Sequence, residues 1–116
     1  MDGDNTTISA ITDKVSARVR NALGKRLREI ILYGSYARGD FDDSSDIDVM
    51  VLADVSDCSV LQKMEKTLWG IGWDVGIEHD IMISLHLKDY RHFYEWMDAI
   101  AYYRNVVKDG EVLYGA

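Results

Sequence analysis

Two aspartates separated by a single residue are the first candidates for chemistry: Asp46 and Asp48, on either side of Ile47. In an extended strand, residues two apart point to the same face and lie roughly 6–7 Å apart. Two unpaired carboxylates at that distance repel each other, so the pair costs stability unless a cation lies between them. Oxygen ligands of this kind suit Mg²⁺, which binds one or two carboxylates together with substrate phosphates. The alternative is that one aspartate caps a turn while the other is solvated.

A second candidate, Gly34 with Ser35, lies ten residues before this pair. Gly34 follows a short apolar run, and Ser35 can open a helical turn. Glycine lets the backbone approach a ligand closely, and main-chain amides at the start of a helix attract anions. A phosphate fits such a place, with the Ser35 hydroxyl as an additional donor. A Gly-Ser pair by itself is more typical of an ordinary turn.

Asp80 provides a third carboxylate, at the predicted beginning of another strand with Met82 and Ser84 on the same face. Three carboxylates at the ends of neighbouring strands suit a pair of metal ions about 3.5–4 Å apart, the clamp used for displacement at phosphorus. Asp74 and Glu78 are the rival candidates. Asp74 falls in a glycine-rich predicted turn and Glu78 lacks an equally clear strand context, so Asp80 is preferred.

The first half of the sequence predicts the elements that position these residues. Apolar residues recur every three or four positions over 8–23, the period of an amphipathic helix, and Gly24 suits its C-terminus. The run REIILYGS is typical of a strand that is buried on both faces and ends at Gly34. Residues 46–52 alternate between two faces and predict a second strand.

The second half predicts two further helices and a third strand. Ser59 and Gln62 have the spacing of a capping box at the start of a helix whose end is loosened by three glycines. Residues 78–85 alternate as a third strand, and an aromatic stripe over 90–101 predicts the last helix. The final KDGEVLYGA reads as a turn and a short tail, extended or irregular. The order α-β-β-α-β-α predicts an α/β (α+β) fold, a small mixed β-sheet with helices packed on it.

Length and composition limit the classes of protein to consider. With 116 residues and 47% hydrophobic content, residues 1–116 are expected to form a single domain with residues 1–5 frayed. No apolar run approaches the length of a membrane span and the N-terminus has no signal-peptide pattern, so a cytoplasmic location is expected. The single cysteine, Cys58, excludes an internal disulfide and suits a reducing compartment. The formal net charge of −7 argues against direct nucleic-acid binding, which needs a basic face.

The candidate residues together resemble the signature of a known superfamily. Gly34-Ser35, ten intervening residues and then Asp46-Ile47-Asp48 match the pattern G-S-x10-D-x-D of the DNA polymerase β-like nucleotidyltransferases. The surrounding GSYARGDFDDSSDIDVMVL is especially similar to the minimal nucleotidyltransferases of bacteria and archaea. The resemblance covers nearly the whole chain, from the first predicted helix through the third strand.

This resemblance implies a sheet like a polymerase palm and an enzyme that uses ATP and two Mg²⁺ ions to transfer AMP to a hydroxyl. Carried over by position, Gly34-Ser35 would hold the triphosphate, and Asp46 and Asp48 would bind the metal ions. Asp80 would be the third metal-binding carboxylate and would help to activate the acceptor, although no fixed spacing leads to it. Arg38 would either contact the triphosphate or pair with an aspartate of the loop.

The resemblance also implies a partner. Larger relatives carry further domains that bind the acceptor, whereas 36 residues follow Asp80 here, so the acceptor is expected on a separate protein, in a homo- or hetero-oligomer. Minimal family members commonly work beside a small helical HEPN-type protein, and in toxin–antitoxin pairs they adenylylate a tyrosine of the HEPN toxin. An antitoxin that acts by adenylylation is therefore implied. Transfer to a small-molecule hydroxyl, such as that of an antibiotic, and a non-catalytic antitoxin binding module are the alternatives.

Overall fold

The computed structural model describes residues 5–42 and 44–115. The predicted fraying of residues 1–5 falls largely outside these ranges. Within them, no helix is long and apolar enough to cross a membrane. The elements in chain order are α1 (Asn5–Leu23), a 3₁₀ turn (Gly24–Arg26), β1 (Leu27–Tyr33), α2 (Ser35–Arg38), β2 (Ile47–Ala53), α3 (Cys58–His79), β3 (Ile83–Asp89), α4 (Tyr90–Glu95), α5 (Ala101–Asp109) and β4 (Glu111–Tyr114).

The strands of this part of the chain form one mixed sheet in the order β3-β2-β1-β4. β1 pairs antiparallel with both β2 and β4, whereas β2 and β3 run parallel. Parallel neighbours need a long crossover connection, and α3 supplies it. The predicted small mixed sheet with packed helices is therefore confirmed, and the C-terminal tail adds β4 at one edge.

Helices cover both faces of the sheet. On one face, α1 and α3 pack on apolar side chains of the central strands such as Val49 and Leu85. On the other face, Met50 contacts a second cluster that includes Phe93 of α4 and Tyr103 of α5. Side chains alternate along a strand, so Asp48 lies on the same face as Met50. The candidate metal ligand therefore belongs to the face covered by α4 and α5, and α3 belongs to the opposite face.

Helix α3 begins differently from the prediction. Asp57 is its N-cap, because the Asp57 carboxylate accepts hydrogen bonds from the backbone N–H groups of Ser59 and Val60. Ser59 also donates its hydroxyl to Asp57 at 2.7 Å. The predicted capping box of Ser59 with Gln62 is therefore wrong. An aspartate already occupies the capping position, and its Oδ1 accepts from two free amides of the first turn.

The glycines of α3 bring the helix close to β3 and do not loosen its end. The helix continues past all three glycines and ends at His79. A Cβ on Gly76 would lie 2.6 Å from the backbone oxygen of Ile81. One on Gly72 would lie 3.0 Å from a backbone oxygen of β3. Glycine therefore serves here to let a helix approach a strand backbone.

Gly76→Ala is expected to lower the free energy of unfolding by about 2 kcal/mol, because the new methyl group meets a main-chain atom that cannot rotate away. Urea unfolding followed by circular dichroism measures the change. Asp74→Ala, at an exposed position of the same helix, is the control and should shift stability by no more than about 0.5 kcal/mol. Wild-type stability in Gly76→Ala would contradict the close approach of α3 and β3.

The predicted last helix is divided into two. α4 ends at Glu95, and a turn leads to α5 at Ala101. Asp89 caps α4 by accepting a hydrogen bond from the backbone N–H of His92 at 3.0 Å. The other Asp89 oxygen accepts from the N–H of Val55, which ties the loop before α3 to the start of α4. Periodicity over 90–101 could not reveal the break, because the turn preserves the apolar spacing.

Candidate active site

The chain turns sharply at Gly34, between β1 and α2. Gly34 has φ 79° and ψ −157°, a region of backbone conformation that is essentially restricted to glycine. Its carbonyl oxygen accepts hydrogen bonds from the N–H groups of Ala37 and Arg38, both at 3.1 Å. A Cβ on Gly34 would lie 2.7 Å from Oδ2 of Asp48. The two halves of the sequence motif are therefore in contact, and the Asp48 carboxylate occupies the space that a side chain at Gly34 would need.

Asp48 lies near the beginning of the central strand β2 and is half-buried. Its register partners are Tyr33 on β1 and Ser84 on β3. Asp46 is exposed and precedes the strand, which begins at Ile47, one residue later than predicted. The pair is therefore asymmetric: one carboxylate is held by the sheet and the other lies in the loop that enters it.

The electrostatics of Asp48 fit a site for a cation. Burial is the main cause that raises the pKa of the Asp48 carboxyl, and the nearby charge of Asp46 raises that pKa further. Positive charge on His86 and Arg38 acts in the opposite direction. A half-buried carboxylate beside a second carboxylate is stabilised in its ionised form by a bound cation. Asp46 and Asp48 therefore fit a divalent ion that prefers oxygen ligands, such as Mg²⁺.

Asp46→Asn is expected to lower the pKa of Asp48, because the substitution removes a like charge. Carbon-detected NMR titration of the aspartate carboxyl groups in metal-free protein measures this shift. Asp42→Asn is the control: it removes a charge from the same loop, but the charge of Asp42 does not act on Asp48. It should therefore leave the pKa of Asp48 unchanged. An Asp48 pKa that does not move in Asp46→Asn would contradict a shared cation site.

The loop between Gly34-Ser35 and the aspartate pair is an ordinary turn over most of its described length. The Asp42 carboxylate accepts hydrogen bonds from the backbone N–H and the hydroxyl of Ser44, at 2.9 and 2.8 Å. These bonds are the main cause that lowers the pKa of Asp42. Its carbonyl oxygen accepts from the N–H of Ser45. Asp43 lies outside the described residues.

Arg38 pairs with an aspartate of the loop, one of the two roles expected for it. Its Nε lies 3.1 Å from Oδ2 of Asp40, and its Nη1 lies 4.0 Å from Oδ2 of Asp109 on α5. Both pairs are partly exposed, so they hold the guanidinium weakly. The charge of Arg38 also lowers the pKa of Asp48, which places it near the candidate metal site. Contact between Arg38 and a triphosphate stays a prediction.

The predicted position of Asp80 at the start of a strand is wrong. Asp80 is the C-cap of α3, with φ 55°, and β3 begins three residues later at Ile83. The rivals lie within α3, where Asp74 is exposed and Glu78 forms an ion pair with Lys14 at 2.9 Å. Across residues 5–42 and 44–115, no three His, Cys, Asp or Glu side chains are grouped closely enough to hold a metal ion. A metal-binding role for Asp80 therefore stays a prediction without geometry to support it.

Aromatic and polar side chains around Asp48 were not predicted from the sequence. The Tyr33 and Tyr102 hydroxyls form a hydrogen bond of 2.5 Å, and the Tyr33 ring lies 6.1 Å from that of His86 between centroids. Burial and the Tyr102 hydrogen bond raise the pKa of Tyr33 above its ordinary value, which already keeps a phenol protonated at neutral pH. The sequence does hold a signal for His86: it follows Ser84 by two residues, and residues two apart on a strand such as β3 share a face. No local signal connects Tyr102 of α5 to this site.

Known proteins of similar sequence point to one family. The family model described as "Nucleotidyltransferase domain" matches residues 13–105. MJ0604 of Methanocaldococcus jannaschii, described as a protein adenylyltransferase, is 32% identical over 107 residues, which cover 90% of this chain and 95% of that protein. MJ0141 of the same organism has the same description and is 38% identical over 66 residues, which cover 57% of this chain and 64% of that protein.

Solved structures share the fold. A crystal structure described as a toxin–antitoxin with AMP-PNP matches with a TM-score of 0.57 and 23% identity, over 88% of this chain and 72% of that one. A mutant form of the toxin–antitoxin MntA-HpeT matches with a TM-score of 0.56 and 22% identity, over 87% and 71%. At these identities the likeness establishes a common fold.

Proposed function

The chain belongs to the nucleotidyltransferase domain family, and from that premise we propose that it transfers AMP from ATP to a hydroxyl group of a partner protein, with Mg²⁺. The observation that carries this proposal is the contact between Gly34 and Asp48, which joins the phosphate half and the metal half of the motif. The relatives described as protein adenylyltransferases support the choice of AMP and of a protein acceptor.

Asp46 and Asp48 would hold the cation, with phosphate oxygens and water completing its coordination. When bound, Mg²⁺ would offset the negative charge that develops as the acceptor hydroxyl gives its proton to water and bonds to the α-phosphorus, while the bond from the α-phosphorus to pyrophosphate breaks. Tyr33 is a neutral phenol at pH 7 and adds no further negative charge beside the two carboxylates.

The turn at Gly34 would bind the triphosphate. The Ser35 hydroxyl beside this turn is available as a donor to a phosphate oxygen. Arg38 would exchange its exposed pair with Asp40 for a phosphate oxygen, since a guanidinium binds phosphate in a forked geometry. The chain's own residues thus bind and orient ATP beside the carboxylate pair.

The proposed partner is a toxin of the HEPN type, silenced by adenylylation of a tyrosine. Two observations support a toxin partner: the signature resembles that of minimal antitoxin nucleotidyltransferases, and matching structures are described as toxin–antitoxin complexes. Both partner and ATP would be met in the cytoplasm, which is the proposed location.

The test is direct transfer of label. The chain is incubated with Mg²⁺, ATP labelled at the α-phosphate and a small HEPN-type toxin protein, and the denatured proteins are separated. Label on a tyrosine of the partner, identified by mass spectrometry and lost when EDTA removes the metal, is the expected result. Neutralisation of the partner with neither label nor a need for ATP would refute catalysis and leave a binding module.

A further inference from the structure

The outer side of α3 carries large apolar side chains exposed to solvent. Trp69, Trp73 and Ile77 follow one another at intervals of four residues and are 59%, 67% and 64% exposed. We call these three residues the α3 stripe. Met82 is 60% exposed and lines the same groove, between α3 and the edge strand β3. Contiguous apolar surface of this kind on a small domain usually marks an interaction site.

Gly70 lies beside this stripe and has no evident purpose within the described residues. It is exposed, its φ is not positive, and a Cβ there would meet no atom within 4 Å. A glycine inside a helix costs about 1 kcal/mol relative to alanine. Gly72 and Gly76 let α3 lie close to the backbone at β3, whereas Gly70 makes no such close contact. A glycine between two exposed tryptophans lets the backbone of another helix approach closely.

The stripe is complementary to itself when a second copy of α3 packs antiparallel to the first. With a twofold axis at Trp73, each Trp73 meets the same residue of the other copy. Trp69 and Ile77 lie four residues from Trp73 in opposite directions, so the Trp69 of one copy faces the Ile77 of the other. Helices packed in this way place large side chains of one helix between those of its neighbour.

Charges at the ends of the stripe match in the same arrangement. Lys66 lies seven residues before Trp73, about 10 Å along the axis, and Asp80 is the C-cap that follows the last helical residue at the other end. The antiparallel packing therefore brings Lys66 of each copy towards the end of α3 that Asp80 caps in the other. Both residues are exposed, and neither forms an ion pair within residues 5–42 and 44–115.

The exposed apolar area is large enough for an interface between two copies. Each tryptophan leaves on the order of 150 Å² exposed, given the area of such side chains. Ile77 and Met82 add roughly 100 Å² each, so two copies would bury about 1,000 Å² of total surface. That value reaches the lower limit for a specific interface, before the polar rim is counted.

We propose that the chain forms a symmetric dimer through the α3 stripe, with antiparallel helices crossing at Trp73. Such an interface is isologous, because the same surface of both copies is used. α3 covers the face of the sheet opposite Asp48, and the groove beside the stripe reaches Ser84 and His86 of β3. The proposal of a dimer does not rest on the proposed AMP transfer.

Sedimentation velocity over a range of protein concentrations tests the dimer. The wild-type chain should sediment at micromolar concentration as a particle of twice 13.2 kDa. Trp73→Glu should weaken the dimer at least 100-fold, and circular dichroism should show it folded, since Trp73 is exposed. The matched control is Trp96→Glu, at a tryptophan that is 50% exposed outside α3, and it should remain dimeric. A wild-type chain that stays monomeric at 100 µM, roughly a hundredfold above micromolar, would overturn the proposal.

A charge exchange tests the antiparallel register. Lys66→Asp and Asp80→Lys should each raise the dissociation constant about tenfold, because each replaces two attractive pairs with repulsive ones. The double variant Lys66→Asp/Asp80→Lys should regain most of the wild-type affinity. Affinity that falls further in the double variant would exclude a meeting of these residues across the axis.

Discussion

Asp48→Asn is expected to reduce the rate of AMP transfer at least 100-fold, the largest functional loss from any single substitution in this chain. Substitutions in groups that only support metal ligands already cost about 10- to 100-fold. Asparagine keeps the shape of the side chain but loses the charge that would bind Mg²⁺. Burial raises the pKa of Asp48, so the ionised carboxylate costs stability at neutral pH, and its replacement should leave the free energy of unfolding unchanged or raised.

Two other aspartates make this result interpretable. Asp42→Asn removes a loop charge held in a turn by Ser44 and should keep most of the activity. Asp80→Asn decides whether the residue at the C-cap of α3 takes part: a loss equal to that of Asp48→Asn would make it a ligand. Single-turnover transfer of labelled AMP is the measurement. Activity of Asp48→Asn within tenfold of wild type would refute the metal assignment.

Gly34→Ala is expected to reduce AMP transfer about 100-fold and to lower the free energy of unfolding by about 1–3 kcal/mol. The stability loss follows from backbone dihedrals that only glycine adopts readily. The loss of activity follows from the new methyl group, which would lie 2.7 Å from Oδ2 of Asp48. The carboxylate is the end of a side chain and can turn away, and a displacement of about 1 Å is enough to cost 100-fold in rate.

Gly39→Ala is the matched control for that substitution. Gly39 also has a positive φ, 84°, so alanine is strained there too, but a Cβ would meet no atom within 4 Å. It should therefore lose stability and keep most of its transfer activity. Urea unfolding and single-turnover transfer are measured on both variants. Equal losses of activity in the two would show that backbone strain, and not contact with Asp48, explains the effect.

Local patterns predicted the elements wherever the chain's neighbours in sequence are also its neighbours in space. The helical period of α1 and the alternation of β2 depend on residues a few positions apart. The same patterns misplaced the junction between α3 and β3. Glycines normally weaken a helix, but Gly72 and Gly76 are compatible with α3 because they allow contact with β3. The position of Asp80 followed from that junction and was wrong for the same reason.

The sequence by itself determined the family and predicted the phosphate and metal sites, because Gly34, Ser35, Asp46 and Asp48 lie within one short segment whose spacing can be read directly. Only the tertiary structure decided that Gly34 touches the Asp48 carboxylate, that Tyr102 reaches Tyr33, and that Asp80 closes a helix. Those relations join strands and helices far apart in the chain. They depend on strand register and on how closely helices pack on the sheet, which no local pattern of residues specifies.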